Sequence, residues 1–316
     1  QRISNMPPVV HVNHLSKTFG PIKAVDDLSF SVNSGDIYGF LGQNGAGKST
    51  TIRMLLTLVE PSDGEIEIFG LRLKSHRKEI LRKVGAVIER PDLYKYLSAY
   101  ENISLFAKMS GLRVSRKKIM EQLELVGIAG RAHSKVKTYS LGMKQRLGIA
   151  IALINDPQLV ILDEPANGLD PQGIADVRNL ILELSKHQKR TILVSSHLLS
   201  EIELIANRML IIDDGKKIAE GEVRDLFDPS DMIVELQTMN VRQTLNAINQ
   251  SSWKNNLQKQ QQDIFILRMD RKEIPVFANY LIHNGVELLS VQPRHSLEDY
   301  FLSLTNSKPH VETFTN

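Results

Sequence analysis

Short apolar runs alternate with helical periodicity from about residue 9 to residue 225, a pattern that predicts an α/β domain built on a largely parallel sheet. Four runs stand out as strands: DIYGFLG (36–42), KVGAVIE (83–89), QLVILDE (158–164) and RTILVSS (190–196). Each is short, apolar and closed by polar or glycine-rich residues, the way buried parallel strands present ligand-binding groups at their carboxyl ends. Residues 95–150 carry helical periodicity and no strand pattern, which predicts a helical subdomain inserted into the sheet. At DLFDPSD (225–231) the pattern breaks and restarts on a smaller scale. The expected division is a first domain over 6–230 and a small α+β domain with a tail over 231–316.

In that second segment MIVELQ (232–237), DIFILRM (263–269) and VELLSVQ (286–292) read as strands, and VRQTLNAINQ (241–250) and KEIPVFANYLIHN (272–284) as helices. With SWKNNL (252–257) as a further strand and QKQQQ (258–262) as its turn, the order becomes βαββαβ, a ferredoxin-like arrangement. SLEDYFLSL (296–304) reads as a capped helix with an apolar face, followed by a mobile tail after Ser307.

Composition narrows the function classes. The chain has 316 residues, enough for one full-size domain plus a smaller one. Its 39 basic and 36 acidic residues leave a net charge of +3, a mixed surface that gives no electrostatic footprint for nucleic acid. The absence of cysteine removes disulfides, zinc thiolates and thiol chemistry together. The N-terminal QRISNMPPVV lacks the apolar core of a signal peptide, and no apolar run approaches the ~18 residues of a membrane span. Any membrane role is therefore expected to come from docking.

The strongest chemical signal is GFLGQNGAGKSTTIRMLL. Gly42, Gln43, Asn44, Gly45, Ala46, Gly47, Lys48, Ser49 and Thr50 form a phosphate-cradling P-loop of the pattern GxxxxGK[S/T] between a strand and a helix. Glycines let backbone N–H groups wrap phosphates, the helix adds its positive end, and the Lys48 ammonium neutralises charge. Ser49 supplies an oxygen to Mg²⁺. Asp163 and Glu164, where an apolar strand ends in LVILDEP, form a Walker B arrangement. Asp163 is placed to hold Mg²⁺ directly or through water, and Glu164 to polarise the attacking water. His197, closing the next strand, can hydrogen-bond a γ-phosphate or orient that water. In TYSLGMKQRLGIAIAL (138–153), Ser140 and Gly142 open a helix; they can grip a phosphate or serve as a plain helix cap.

Taken in this order, the segments resemble an ATP-binding cassette nucleotide-binding domain over roughly residues 9–225: an α/β P-loop NTPase with a parallel core sheet and an inserted helical subdomain. The family signature, commonly LSGGQ, reads YSLGM here, so that Ser140 and Gly142 match the key positions while Tyr139, Leu141 and Met143 depart from it. The resemblance implies that Phe19 stacks on adenine, that Asp170 ends the loop after the catalytic glutamate, and that His197 is the switch histidine. It also implies that ATP with Mg²⁺ is bound between two cassettes, P-loop of one facing signature of the other, making a second ATPase subunit a partner. Glu89 falls where the family places a glutamine that touches Mg²⁺ or its water, so a carboxylate replaces an amide. AVIERPDLYKYLSAYENI, SLGMKQRLGIAIAL and DEPANGLDP together resemble the ATPase subunits of bacitracin and lantibiotic self-protection exporters. Those implied properties are a cytoplasmic location on the inner face of the membrane, transmembrane permease partners and antimicrobial peptides as cargo. The alternatives are a soluble cassette acting on ribosomes or DNA, whose tandem cassettes or long coiled-coil insertion do not occur here, an ABC exporter of another substrate, and a catalytically silent cassette, against which Glu164 and His197 argue.

Overall fold

The computed structural model describes residues 7–186, 188–226 and 232–295. It divides into two compact units at Glu222/Val223, one short helix ahead of the boundary expected from the sequence.

The first unit carries two sheets. The core sheet consists of β3 (Ile37–Leu41), β6 (Val84–Val87), β7 (Leu159–Leu162), β8 (Thr191–Ser196), β9 (Arg208–Asp213) and β10 (Lys216–Glu222), in the order β10-β9-β3-β8-β7-β6. All neighbours run parallel except β9 and β10. Every residue of β3, β7 and β8 is buried, the mark of strands covered on both faces and the reason these runs are apolar without alternation. The second sheet is antiparallel: β1 (Val10–Phe19), β2 (Ile22–Val32), β4 (Asp63–Ile68) and β5 (Leu71–Arg72), in the order β2-β1-β4-β5. The parallel-sheet expectation does not include it. Register shifts at three places between β1 and β2 break the two-residue alternation that would reveal such strands. One hydrophobic cluster joins the two sheets, with Ile52, Met54 and Leu55 of α1 (Lys48–Leu55) packed among Val10, Leu28, Phe30, Phe40 and Leu193. That burial anchors the helix whose first turn follows the P-loop.

After α2 (Leu73–Leu81) and β6, the chain forms α3 (Ala99–Met109), α4 (Arg116–Leu125) and α5 (Leu141–Ala152), with no strand among the described residues before β7. The entry to α3 is a capping box: the Glu101 N–H donates to Ser98 Oγ at 3.2 Å, and the Ser98 N–H donates to Glu101 Oε2 at 2.7 Å. These bonds from Ser98, first to its backbone and then to its side chain, hold the Glu101 carboxyl below the ordinary glutamate range. Its contribution is therefore present above that ordinary range and is lost as pH falls through the lowered value. Ser98→Ala should cost about 1 kcal/mol, read as a lower urea midpoint at neutral pH with an unchanged slope. α6 (Pro171–Lys186) and α7 (Leu199–Ile205) connect β7 to β8 and β8 to β9.

The second unit begins with α8 (Val223–Leu226) and contains β11 (Met232–Thr238), α9 (Val241–Gln250), β12 (Leu257–Gln261), β13 (Ile264–Met269), α10 (Ile274–His283) and β14 (Leu288–His295). The order is βαββαβ, and the antiparallel sheet runs β12-β13-β11-β14. Alternate residues of β11 are buried, and Val234, Leu236, Phe265, Leu267, Ile248, Phe277 and Leu281 share one core. The second strand differs from expectation. Lys254–Asn256 is a short 3₁₀ helix, and the polar LQKQQ is itself the strand. As an edge strand it pairs, among the described residues, only with β13 and exposes nearly every side chain, so it needs no apolar face. The expected SLEDYFLSL helix lies outside the described residues.

Candidate active site

The P-loop leaves β3 at Gly42 and closes at the start of α1. Gly45 and Gly47 have φ of 86° and 104°, the left-handed region that glycine adopts without strain. A Cβ on Gly47 would stand 2.5 Å from the Ala24 carbonyl oxygen, and one on Gly42 would stand 2.6 Å from that of Ile212. The loop therefore follows a path that only glycine permits. α1 has Gly47 as its N-cap, no side-chain cap and no acidic residue in its first turn, so its positive end is left for an anion. Lys48 is buried. Its ammonium donates to the carbonyls of Gly42 at 2.7 Å and Gln43 at 3.2 Å. Asn44 and Gly45 are exposed at the loop's tip, Ala46 is buried beneath it, and Ser49 and Thr50 are half-buried in the first turn of α1.

Beside this loop the carboxyl ends of β7 and β8 supply the acids. Asp163 is fully buried, and its Oδ1 accepts a hydrogen bond from Ser195 Oγ at 2.6 Å. The same Ser195 oxygen accepts the Glu164 N–H at 2.9 Å, so one hydroxyl fixes both acids. Asp163 Oδ2 is buried with no hydrogen-bond partner. A buried carboxylate oxygen left unpaired is costly, and a hard cation held by oxygens satisfies it. With the Ser49 hydroxyl in the first turn of the neighbouring helix, the residues present fit Mg²⁺. Held there by Asp163 and Ser49, such an ion would supply charge neutralisation to a bound phosphate.

Glu164 sits between two basic groups. The His197 Nδ1–H donates to its Oε2 at 2.8 Å, and the Lys48 ammonium lies 3.1 Å from its Oε1, an ion pair whose angle does not make a hydrogen bond. Its side chain is 14% exposed and its Oε1 is buried, so both contacts are strong. A carboxylate so oriented can take a proton from water, with His197 holding its second oxygen.

The remaining expected residues lie apart from this cluster. Phe19, at the end of β1, is 47% exposed, with the Lys17 ammonium 4.9 Å from its ring centroid; its face is available for stacking. Ser140 is the N-cap of α5 and accepts the Met143 N–H at 3.3 Å. A Cβ on Gly142 would come no nearer than 3.9 Å to Gly173 and Leu169, so that position is open. Asp170 accepts the Gly173 N–H at 3.0 Å and caps α6. Among the described residues no hydrogen bond or ion pair joins Ser140, Gly142 or Asp170 to the P-loop. Glu89 is exposed beyond β6 with φ 53°, and its Oε1 lies 2.5 Å from Arg53 Nη2. It is not drawn to Asp163, and among the described residues no three Asp, Glu or His side chains form a metal cluster.

A family model described as ABC transporter matches residues 25–167, the stretch from β2 through the Walker B strand. The bacitracin transport ATP-binding protein BcrA of Bacillus licheniformis is 41% identical over 300 residues, covering 95% of this chain and 98% of that protein. This chain belongs to the ABC transporter family. It is the ATP-binding ATPase subunit type of that family. The lantibiotic transport ATP-binding protein SrtF of Streptococcus pyogenes is 44% identical over 228 residues, covering 72% of this chain and 95% of that protein. Among solved structures, the dimeric post-hydrolysis state of the ATP-binding cassette MJ0796 bound to ADP and Pi superposes with a TM-score of 0.62 at 26% identity. It covers 68% of this chain and 99% of that one. Two residues of the cassette site were not singled out from sequence: Ser195, which fixes both acids, and Arg53, which holds Glu89. The two serines ending an otherwise apolar strand were a legible signal for the first; nothing local marks the second.

Proposed function

We propose that this cassette binds Mg·ATP through the P-loop, Ser49 and Asp163, dimerises with a second cassette so that Ser140 and Gly142 of each face the nucleotide of the other, and hydrolyses ATP with Glu164 as base and His197 as its orienting partner. Phe19 stacks on the adenine, and Asp170 borders the nucleotide across the dimer. The observation that carries the reading is Glu164 held between Lys48 and His197, because it places a proton acceptor beside the P-loop lysine. Hydrolysis drives separate membrane permease subunits at the cytoplasmic face, and the cargo is an antimicrobial peptide of the bacitracin or lantibiotic kind. No helix among the described residues is long and apolar enough to cross a membrane.

Between these cargoes, length favours bacitracin. SrtF is matched over 95% of its own length by 228 residues of alignment, which leaves it no room for a counterpart of the second unit, whereas BcrA is matched over 300 residues. The test is resistance in a sensitive Gram-positive host expressing this chain with its permease. Bacitracin tolerance should rise, nisin tolerance should rise less or not at all, and both gains should vanish with Glu164→Gln. Unchanged tolerance to both peptides in a host that makes the assembled complex would contradict the cargo assignment.

A further inference from the structure

The two serines that close β8 are both buried, and their hydroxyls go to different partners. A hydroxyl has one proton to give and lone pairs that accept, so each can serve two groups at once. Ser195 gives its proton to Asp163 Oδ1 and accepts the Glu164 N–H. That leaves Asp163 Oδ2 as the oxygen without a partner. It also holds Glu164 at φ 49°, a left-handed backbone that a glutamate keeps only where its surroundings impose it. Ser196 acts on His197 instead. Its Oγ accepts the Leu198 N–H at 3.0 Å and donates to Glu201 Oε2 at 2.9 Å, closing a turn with His197 at its apex and tying that turn to the start of α7. The turn is also held from the P-loop, because the Gly42 N–H donates to the Ser196 carbonyl at 3.3 Å.

We propose that Ser195 and Ser196 are positioning residues with separate duties: Ser195 ties the metal-side acid to the base, and Ser196, anchored by Glu201, holds His197 against that base. The inference rests on the Mg·ATP reading above. Without the Ser195 hydroxyl, Asp163 is free to turn its oxygens away from the cation and the Glu164 N–H loses its acceptor, so metal affinity and rate fall together. Without the Ser196 hydroxyl the His197 turn opens while Asp163 keeps its partner, so the rate falls alone. Serines that merely stabilised the end of the strand would not separate these two quantities.

The test uses the full chain and two readouts. One is the half-saturating Mn²⁺ concentration with a non-hydrolysable ATP analogue, read by electron paramagnetic resonance; the other is the single-turnover rate of hydrolysis at saturating Mg²⁺ and ATP. Ser195→Ala should raise the half-saturating Mn²⁺ concentration about 10- to 100-fold, the range for groups that orient metal ligands, and lower the rate even at saturation. Where that variant does not fold, Ser195→Cys, whose thiol is a weaker donor, should shift both readouts the same way. Ser196→Ala should leave the Mn²⁺ value at that of the parent and lower the rate about 10-fold, a fraction of what a positioned base supplies. Ser196→Thr, which keeps the hydroxyl, should restore the rate. In a His197→Ala background Ser196→Ala should change the rate no further, because the serine acts through the histidine. An unchanged Mn²⁺ value when Ser195 is replaced, an equal rise when Ser196 is, or a further loss of rate beside His197→Ala overturns the division of duties while leaving the Mg·ATP reading standing. Failure of the parent to bind Mn²⁺ and the analogue overturns both.

Discussion

Glu164→Gln protein should bind ATP at no less than parental affinity and release phosphate about 10²- to 10⁴-fold more slowly, the range that a positioned general base contributes. The amide keeps the shape of the side chain and can still meet His197, but it cannot accept a proton from water. It also no longer competes for the Lys48 ammonium, which lies 3.1 Å from the carboxylate in this structure. Binding and chemistry therefore separate in this variant. Single-turnover phosphate release beside equilibrium nucleotide binding distinguishes them, and turnover near the parent rate would remove Glu164 from the base role.

Lys48→Ala should act on the other step. The ammonium is buried against two loop carbonyls and one carboxylate, and no other cationic side chain belongs to the loop. A charge-assisted hydrogen bond contributes about 1.5–3 kcal/mol, so ATP affinity should fall by at least about 10- to 100-fold, more if two phosphate oxygens are engaged. Glu164 loses its ion pair in the same variant and keeps His197, so a thermal melt belongs beside the titration. A folded Lys48→Ala protein that binds ATP as the parent does would mean that the loop does not cradle phosphate through this residue.

Most of what builds this site was legible because it obeys local rules. A P-loop needs glycine where backbone must approach phosphate, and the conformations of Gly45 and Gly47 bear that requirement directly. Strands β3 and β7, and β8 up to its closing serines, run apolar without alternation because both faces are covered, and an acid at the end of such a strand is conspicuous. Where the pattern was silent, tertiary context had decided the structure. The β1–β2 pairing is interrupted by bulges, and the polar β12 is an edge that solvent can wet. Glu89 pairs with Arg53, thirty-six positions earlier in the chain, a distance at which local sequence carries no signal. The ends of α5 and α6 show the converse limit. Ser140 and Asp170 match a nucleotide-site pattern, yet within one chain they cap helices, because their proposed ligand would be brought by another copy.

That point fixes the decisive measurement. Among the described residues no hydrogen bond or ion pair joins Ser140 or Gly142 to the P-loop, and on the proposed reading a complete site requires two chains. Light scattering on purified Glu164→Gln protein should give the mass of one chain in EDTA and twice that mass with Mg·ATP, with one nucleotide retained per chain. A species that stays at the mass of one chain while ATP is bound would contradict the shared-site account.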